Sequence, residues 1–171
     1  MATARFFERY RLLTESNHRL AEAHSLLAVL ETLRVQARAI ANCDGVAVVR
    51  RVGDEVEYVG EDAIAPLWTG QRFPIAQCVT GLAILAEAPI VIPDIRADPR
   101  VPLGAYLSTF VRSMAAFPLG APAPCAALGL YWRTRQPLGR DVEVLVGMLA
   151  QGANTALERI AIRAERASLV A

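Results

Sequence analysis

The chain has 171 residues, a formal net charge of +1 and 54% hydrophobic residues. That length suits one domain, and folding at this size removes about 70% of the unfolded surface from water, so no disulfide or metal staple is required. The balanced charge, carried on scattered arginines with no lysine, offers no basic stripe to a nucleic acid.

No apolar run reaches the roughly 18–20 residues of a membrane span, and the opening MATARFFERYR lacks the apolar segment of a secretory signal. The three cysteines, Cys43, Cys78 and Cys125, have neither metal-ligand nor disulfide-framework spacing. An odd number of isolated thiols fits a reducing compartment, so a cytoplasmic protein without membrane contact is expected.

Residues 4–42 contain no Pro and no Gly and are rich in Ala, Leu, Arg and Glu, all good helix formers. Phe6, Leu13, Leu20 and Leu27 recur every seven residues, and Leu26, Leu30, Leu33, Ala37 and Ile40 follow at steps of three and four. This predicts one long helix, with a break near Thr14–Asn17. Its second half packs on the domain. Its first half leaves an apolar seam, which a second copy of the chain covers in a homodimer, or which folds back on its own chain.

Asn42-Cys43-Asp44-Gly45 stops the helix. Val46–Val52 reads as a central strand, Gly53-Asp54 as a turn, and Glu55–Gly60 alternates as the second strand of a hairpin. Residues 61–70 read as a connecting loop. Arg72–Ile75 is extended, Thr80–Ala88 a small apolar helix, and Pro89–Pro93 a buried strand. Asp94–Pro102 is a loop stiffened by Pro99 and Pro102, Leu103–Val111 a second short helix, and Ser113–Leu119 a strand. Gly120–Pro124 turns the chain into Cys125–Trp132, a strand so apolar that both its faces must be covered. A final helix runs from Arg140 to about Ser168.

The predicted fold is α+β: a central antiparallel sheet of five or six strands, long N- and C-terminal helices on one face, and short helices and loops around a pocket on the other. Residues 1–42 form the N-terminal signalling and dimerisation helix, 43–139 the sheet and pocket elements, and 140–171 the C-terminal helix packed with the first.

Phosphate-loop, dinucleotide and G-x-S-x-G nucleophile motifs are absent, and the chain reads as non-enzymatic. Both histidines, His18 and His24, fall on the first helix at a spacing that does not pair them for a metal. Trp68, Phe73, Cys78, Asp94, Tyr106, Phe110 and Trp132 are the candidate pocket residues. The aromatics would line a space for a flat ligand, and Asp94 or Arg96 would hydrogen-bond it at the mouth. Tyr131 and Trp132 point to opposite sheet faces, so at most one of them faces the pocket. Asp98 and Arg100 are read as tying their loop together. Cys78 precedes a helix start, where the dipole would activate a thiol; the plainer reading is a small buried packing residue.

Six blocks carry a resemblance: Glu61–Trp68, Gly70–Pro74, Cys78–Gly81, Ile92–Pro102, Thr109–Ser113 and Gly129–Trp132. In this order they resemble the GAF domain, a small-molecule-sensing module, most closely those of bacterial sensor histidine kinases. The resemblance implies a sensory domain that relays ligand state through its terminal helices.

The chain departs from several GAF classes. It lacks the N-K-x-F-D-E pattern of cyclic-nucleotide binders. It has Ala105-Tyr106-Leu107-Ser108 where cyanobacterial bilin binders carry Cys-His, and it has no histidine near the pocket for haem. Covalent bilin, cyclic nucleotide and haem are therefore not expected. The free methionine sulfoxide reductases are GAF-like enzymes with a Cys near the position of Cys78, but Ile92-Pro93-Asp94-Ile95 supplies no second cysteine where theirs is needed. A thiol-based redox sensor or reductase using Cys78, and a dimerisation module with a collapsed pocket, are the alternatives.

Overall fold

The computed structural model describes residues 1–171. The first helical segment is two helices, α1 (Ala2–Glu22) and α2 (Leu26–Ala41). The break falls at Ala23–Ser25 instead of Thr14–Asn17. Ser25 is extended and its hydroxyl accepts the Ala28 N–H at 3.1 Å, an N-cap that starts α2 afresh. Thr14 stays helical by donating to the Tyr10 carbonyl, and Ser16 is buried between helices. Asn42, in the left-handed region at φ 52°, closes α2.

Six strands follow: β1 (Gly45–Val52), β2 (Glu55–Ala63), β3 (Arg72–Pro74), β4 (Ile90–Ile92), β5 (Ser113–Leu119) and β6 (Ala126–Trp132). They form one antiparallel sheet in the order β3-β2-β1-β6-β5-β4. The chain thus leaves the centre at β1, builds one edge, crosses to the other and returns to the centre at β6. Three helices complete it: α3 (Val79–Ala86), the single turn α4 (Leu103–Tyr106), and α5 (Arg140–Val170). The helix expected over Leu103–Val111 stops at Tyr106, because the Thr109 hydroxyl and N–H both turn back to the Tyr106 carbonyl.

β6 is buried along its whole length, and period-2 alternation sends its residues to two separate cores. Val46, Val48, Ala115, Phe117, Leu128, Leu130 and Trp132 meet the long helices. Ala47, Val49, Met114, Ala116, Ala127 and Tyr131 meet α3, α4 and the loops.

α2 and α5 lie on the sheet, and α1 rides outside them. Arg9 binds Asp141, Arg159 donates to the Leu20 and Ala23 carbonyls, and Arg163 meets His24. α1 and α5 therefore run in the same direction. Leu13 and Leu20 are 1% exposed, so the apolar seam of α1 is covered within the chain itself. The expectation of an uncovered first half is corrected: a heptad stripe is satisfied equally by a helix of its own chain.

No helix is long and apolar enough to cross a membrane, and the three cysteines are free.

Candidate functional site

On the face opposite the long helices is a chamber of about 350 Å³. It is lined by Tyr58, Trp68, Phe73, Gln77, Cys78, Pro99, Arg100, Val101, Pro102, Ala105 and Tyr106. Each wall has a local cause. Tyr58 points down from β2, whose alternation places Val56 and Tyr58 on this face. The ladder then slips between Val48 and Val49 of β1. The slip leaves Val59 and Gly60 toward α2 and sets Glu61 opposite Ala47. Glu61 accepts the N–H groups of Leu67 (2.7 Å) and Thr69 (2.9 Å) and the Thr69 hydroxyl (2.6 Å). Burial alone would raise this carboxyl; the bonds from Thr69 and Leu67 outweigh burial and hold it below its ordinary range.

The segment so gathered carries Trp68. Its indole N–H donates to the Ala105 carbonyl at 3.1 Å, joining this wall to α4. The rings of Tyr58, Phe73, Trp68 and Tyr106 meet edge to face, at centroid distances of 4.8–5.6 Å. Tyr131 packs edge-on behind Trp68, fully buried.

The opposite wall is the rigid loop. Asp98 accepts the Arg100 N–H (2.9 Å), its Nε (3.0 Å) and its Nη2 (2.7 Å), which fixes the guanidinium at the mouth. The structural role read for this pair is present. Arg100 is also on the chamber wall, which sequence reasoning did not assign to it.

Of the seven expected pocket residues, four come together here: Trp68, Phe73, Cys78 and Tyr106. Three lie elsewhere. Trp132 faces the long helices and donates to the Asn42 carbonyl at 3.2 Å; its neighbour Tyr131 takes the chamber side. Asp94 accepts the Arg96 N–H and pairs with Arg135 at 3.7 Å, tying the start of the loop to the turn after β6. Phe110 packs over Gly45 at the far end of β1.

Cys78 is 4% exposed at the N-terminus of α3. Burial pushes its thiol up; the bonds with the Thr80 hydroxyl (3.7 Å) and the Gly81 backbone pull the other way and do not prevail. Here the cost of desolvation exceeds the pull of the helix end. Cys43 is driven up to about 12 by burial, and Cys125 is raised by the same cause. No cluster of metal-ligating side chains is present.

No family model and no curated protein sequence matches the chain. Solved structures do. The free methionine-R-sulfoxide reductase from Neisseria meningitidis, in complex with its substrate, is 19% identical over 91% of each chain, with a TM-score of 0.75. The GAF domain of a phosphoenolpyruvate-protein phosphotransferase from Coxiella burnetii is 17% identical over 95% of this chain and 98% of its own, at 0.73. The corresponding domain from Acinetobacter is 12% identical over 92% and 98%, at 0.71.

The chain has a GAF fold.

The α+β expectation is met in its sheet, its terminal helices and the chamber on the opposite face. The expectation about catalysis is overturned. The GAF-fold structures similar to this chain include an enzyme, the Neisseria reductase, so the reading of the chain as non-enzymatic is withdrawn.

Proposed function

We propose that this GAF-fold chain is a sensory or regulatory domain of a bacterial signalling protein, of the kind associated with histidine kinases. It takes a small molecule into the aromatic chamber. The carrying observation is the chamber: four aromatic rings and a fixed guanidinium around about 350 Å³, at the small end of the roughly 300–1,000 Å³ of ligand pockets. That volume favours ligand binding over a dimerisation module with a collapsed pocket. The relay runs through the sheet, one strand thick, whose residues touch the chamber on one side and α2 and α5 on the other. A homodimer would use the outer surface of the helical layer, where Tyr10, Val144 and Met148 are exposed.

The test is NMR of the two indole N–H groups. Trp68 faces the chamber and Trp132 the helices. Ring-sized organic compounds should shift the Trp68 signal saturably and leave Trp132 in place, and Ala105→Phe should abolish the shift. If no compound moves Trp68, or if the shift survives Ala105→Phe, the reading falls.

The position of Cys78 on the chamber wall supports a second reading, thiol chemistry on a bound ligand. Its buried, protonated state weighs against it. Intact mass after peroxide treatment decides: this reading needs an oxygen adduct on Cys78, absent in Cys78→Ser.

A further inference from the structure

The chamber is asymmetric in a way that selects the charge of its ligand. Its depth is aromatic and uncharged, made by Tyr58, Trp68, Phe73 and Tyr106. No carboxylate lines it, and one charged group does: Arg100, at the mouth. That guanidinium is not free to swing. Asp98 holds Nε and Nη2 and is itself absent from the chamber wall, between Ala97 and Pro99 of the stiff loop. Nη1 has no partner in the protein, and Nη2 keeps one N–H unused. These N–H groups form the second edge of the fork, in the spacing that a carboxylate accepts.

We propose that the chamber takes a small organic monoanion, an apolar ring or branched chain bearing one carboxylate, with the apolar part among the four rings and the carboxylate on Arg100. The inference rests on the chamber being a ligand site. It goes beyond that reading by assigning the ligand's charge, its polarity and its orientation. A dianion fits less well, because Asp98 already balances the one cation at the mouth. An ammonium ligand would find aromatic faces, but it would have to enter past Arg100. Gln77, exposed on the lining and without a side-chain partner of its own, supplies a neutral donor beside the mouth.

The experiment titrates the full chain with three matched probes: 3-phenylpropionate, 3-phenylpropionamide and 3-phenylpropylamine. The readout is the Trp68 indole N–H, with Trp132 as internal reference. The carboxylate should bind at least tenfold more tightly than the amide, and the amine weakest. Arg100→Gln should erase the preference for the carboxylate. Because that change also unmasks Asp98, the double variant Asp98→Asn/Arg100→Gln is measured too; it carries neither charge and should bind acid and amide alike. Arg100 is exposed and Asp98 half-buried in its loop, and the unshifted Trp132 signal confirms a folded protein.

If amide and carboxylate bind equally to the unaltered chain, or if the preference persists without Arg100, the inference is overturned while the chamber remains a binding site. If the amine binds best, it is overturned in favour of an aromatic cage for cations. If none of the probes moves Trp68 at millimolar concentration, both this inference and the ligand-binding reading are rejected.

Discussion

A Cβ on Gly81 would stand 2.8 Å from the carbonyl carbon of Ile75 and closer still to its oxygen. The first turn of α3 is pressed against backbone, which cannot move aside as a side chain can. Gly81→Ala should destabilise the fold at or beyond the upper end of the about 1–3 kcal/mol typical of overpacking, measured by urea unfolding. Gly129 is tight for a different reason, a fully buried side chain. There a Cβ would lie 2.8 Å from the Tyr131 ring and nearer to its hydroxyl, which has no hydrogen-bond partner. At Cys78 the argument is chemical. With its thiol raised by burial and 4% exposed, it should react with iodoacetamide at pH 7.5 at least tenfold more slowly than free cysteine, as read by mass spectrometry. Residue identity carried part of this. The aromatics and Cys78 stand out in the sequence, and four of the named residues meet in space. Trp132 and Tyr131 were separable by period 2, but which of them faced the chamber depended on β1 and β5 lying either side of β6. Arg100 was legible as the partner of Asp98, yet no local pattern says which side of a loop turns inward.

Among the elements, the segment between β2 and β3 depends on a single side chain. Glu61 receives three hydrogen bonds from residues 67–69 and so holds Trp68 over the chamber. Glu61→Gln places an amide N–H₂ among donors, and should cost about 1–3 kcal/mol and loosen the Trp68 wall. The carboxyl has a lowered pKa in the folded state. Its contribution is therefore complete above the unfolded value and fades as pH falls through the folded one. Trp68 should become mobile on acidification below the usual carboxylate range, well before Trp132 responds, and Glu61→Gln should remove that dependence; fluorescence of Trp68 in a Trp132→Phe background, set beside that of Trp132 in a Trp68→Phe background, reads it. The sequence reads Glu61 as the start of the connecting loop, whereas β2 runs on through it to Ala63. The ladder slip opposite Val48 and Val49, which decides where its carboxylate goes, exists only once two strands pair. The break of the first helix was legible in kind and wrong in place. Thr14–Asn17 has the polar composition of a break, but Ser25 before two leucines has the capping geometry.

Across the whole molecule, the helical layer is uneven. α5 is buried as far as Leu157, while residues 161–171 are exposed on every side. Removing residues 164–171 should change unfolding stability by less than about 0.5 kcal/mol, as expected for surface changes away from any packed feature. Removing residues 1–24 should be severe, since Leu13 and Leu20 are core. Thermal unfolding of the two truncations separates these cases. The heptad pattern of α1 was plain in the sequence. Its partner was not, because an apolar stripe records that it is covered and not by which copy of the chain.

The central strands β1 and β6 are neighbours in the sheet, and everything that builds the chamber lies between them in the chain. The neck of that excursion is closed by the Arg51 N–H donating to the Cys125 carbonyl at 2.8 Å. During folding, joining these strands means closing one very long loop, whose entropy is lost before any chamber contact repays it. The α1–α2 hairpin needs no such closure and can form first. In pulse-labelled hydrogen exchange, amides of α1 and α2 should gain protection early. Those of β6 should follow later and together with α3, so that the chamber is assembled in the same slow step that makes the sheet continuous.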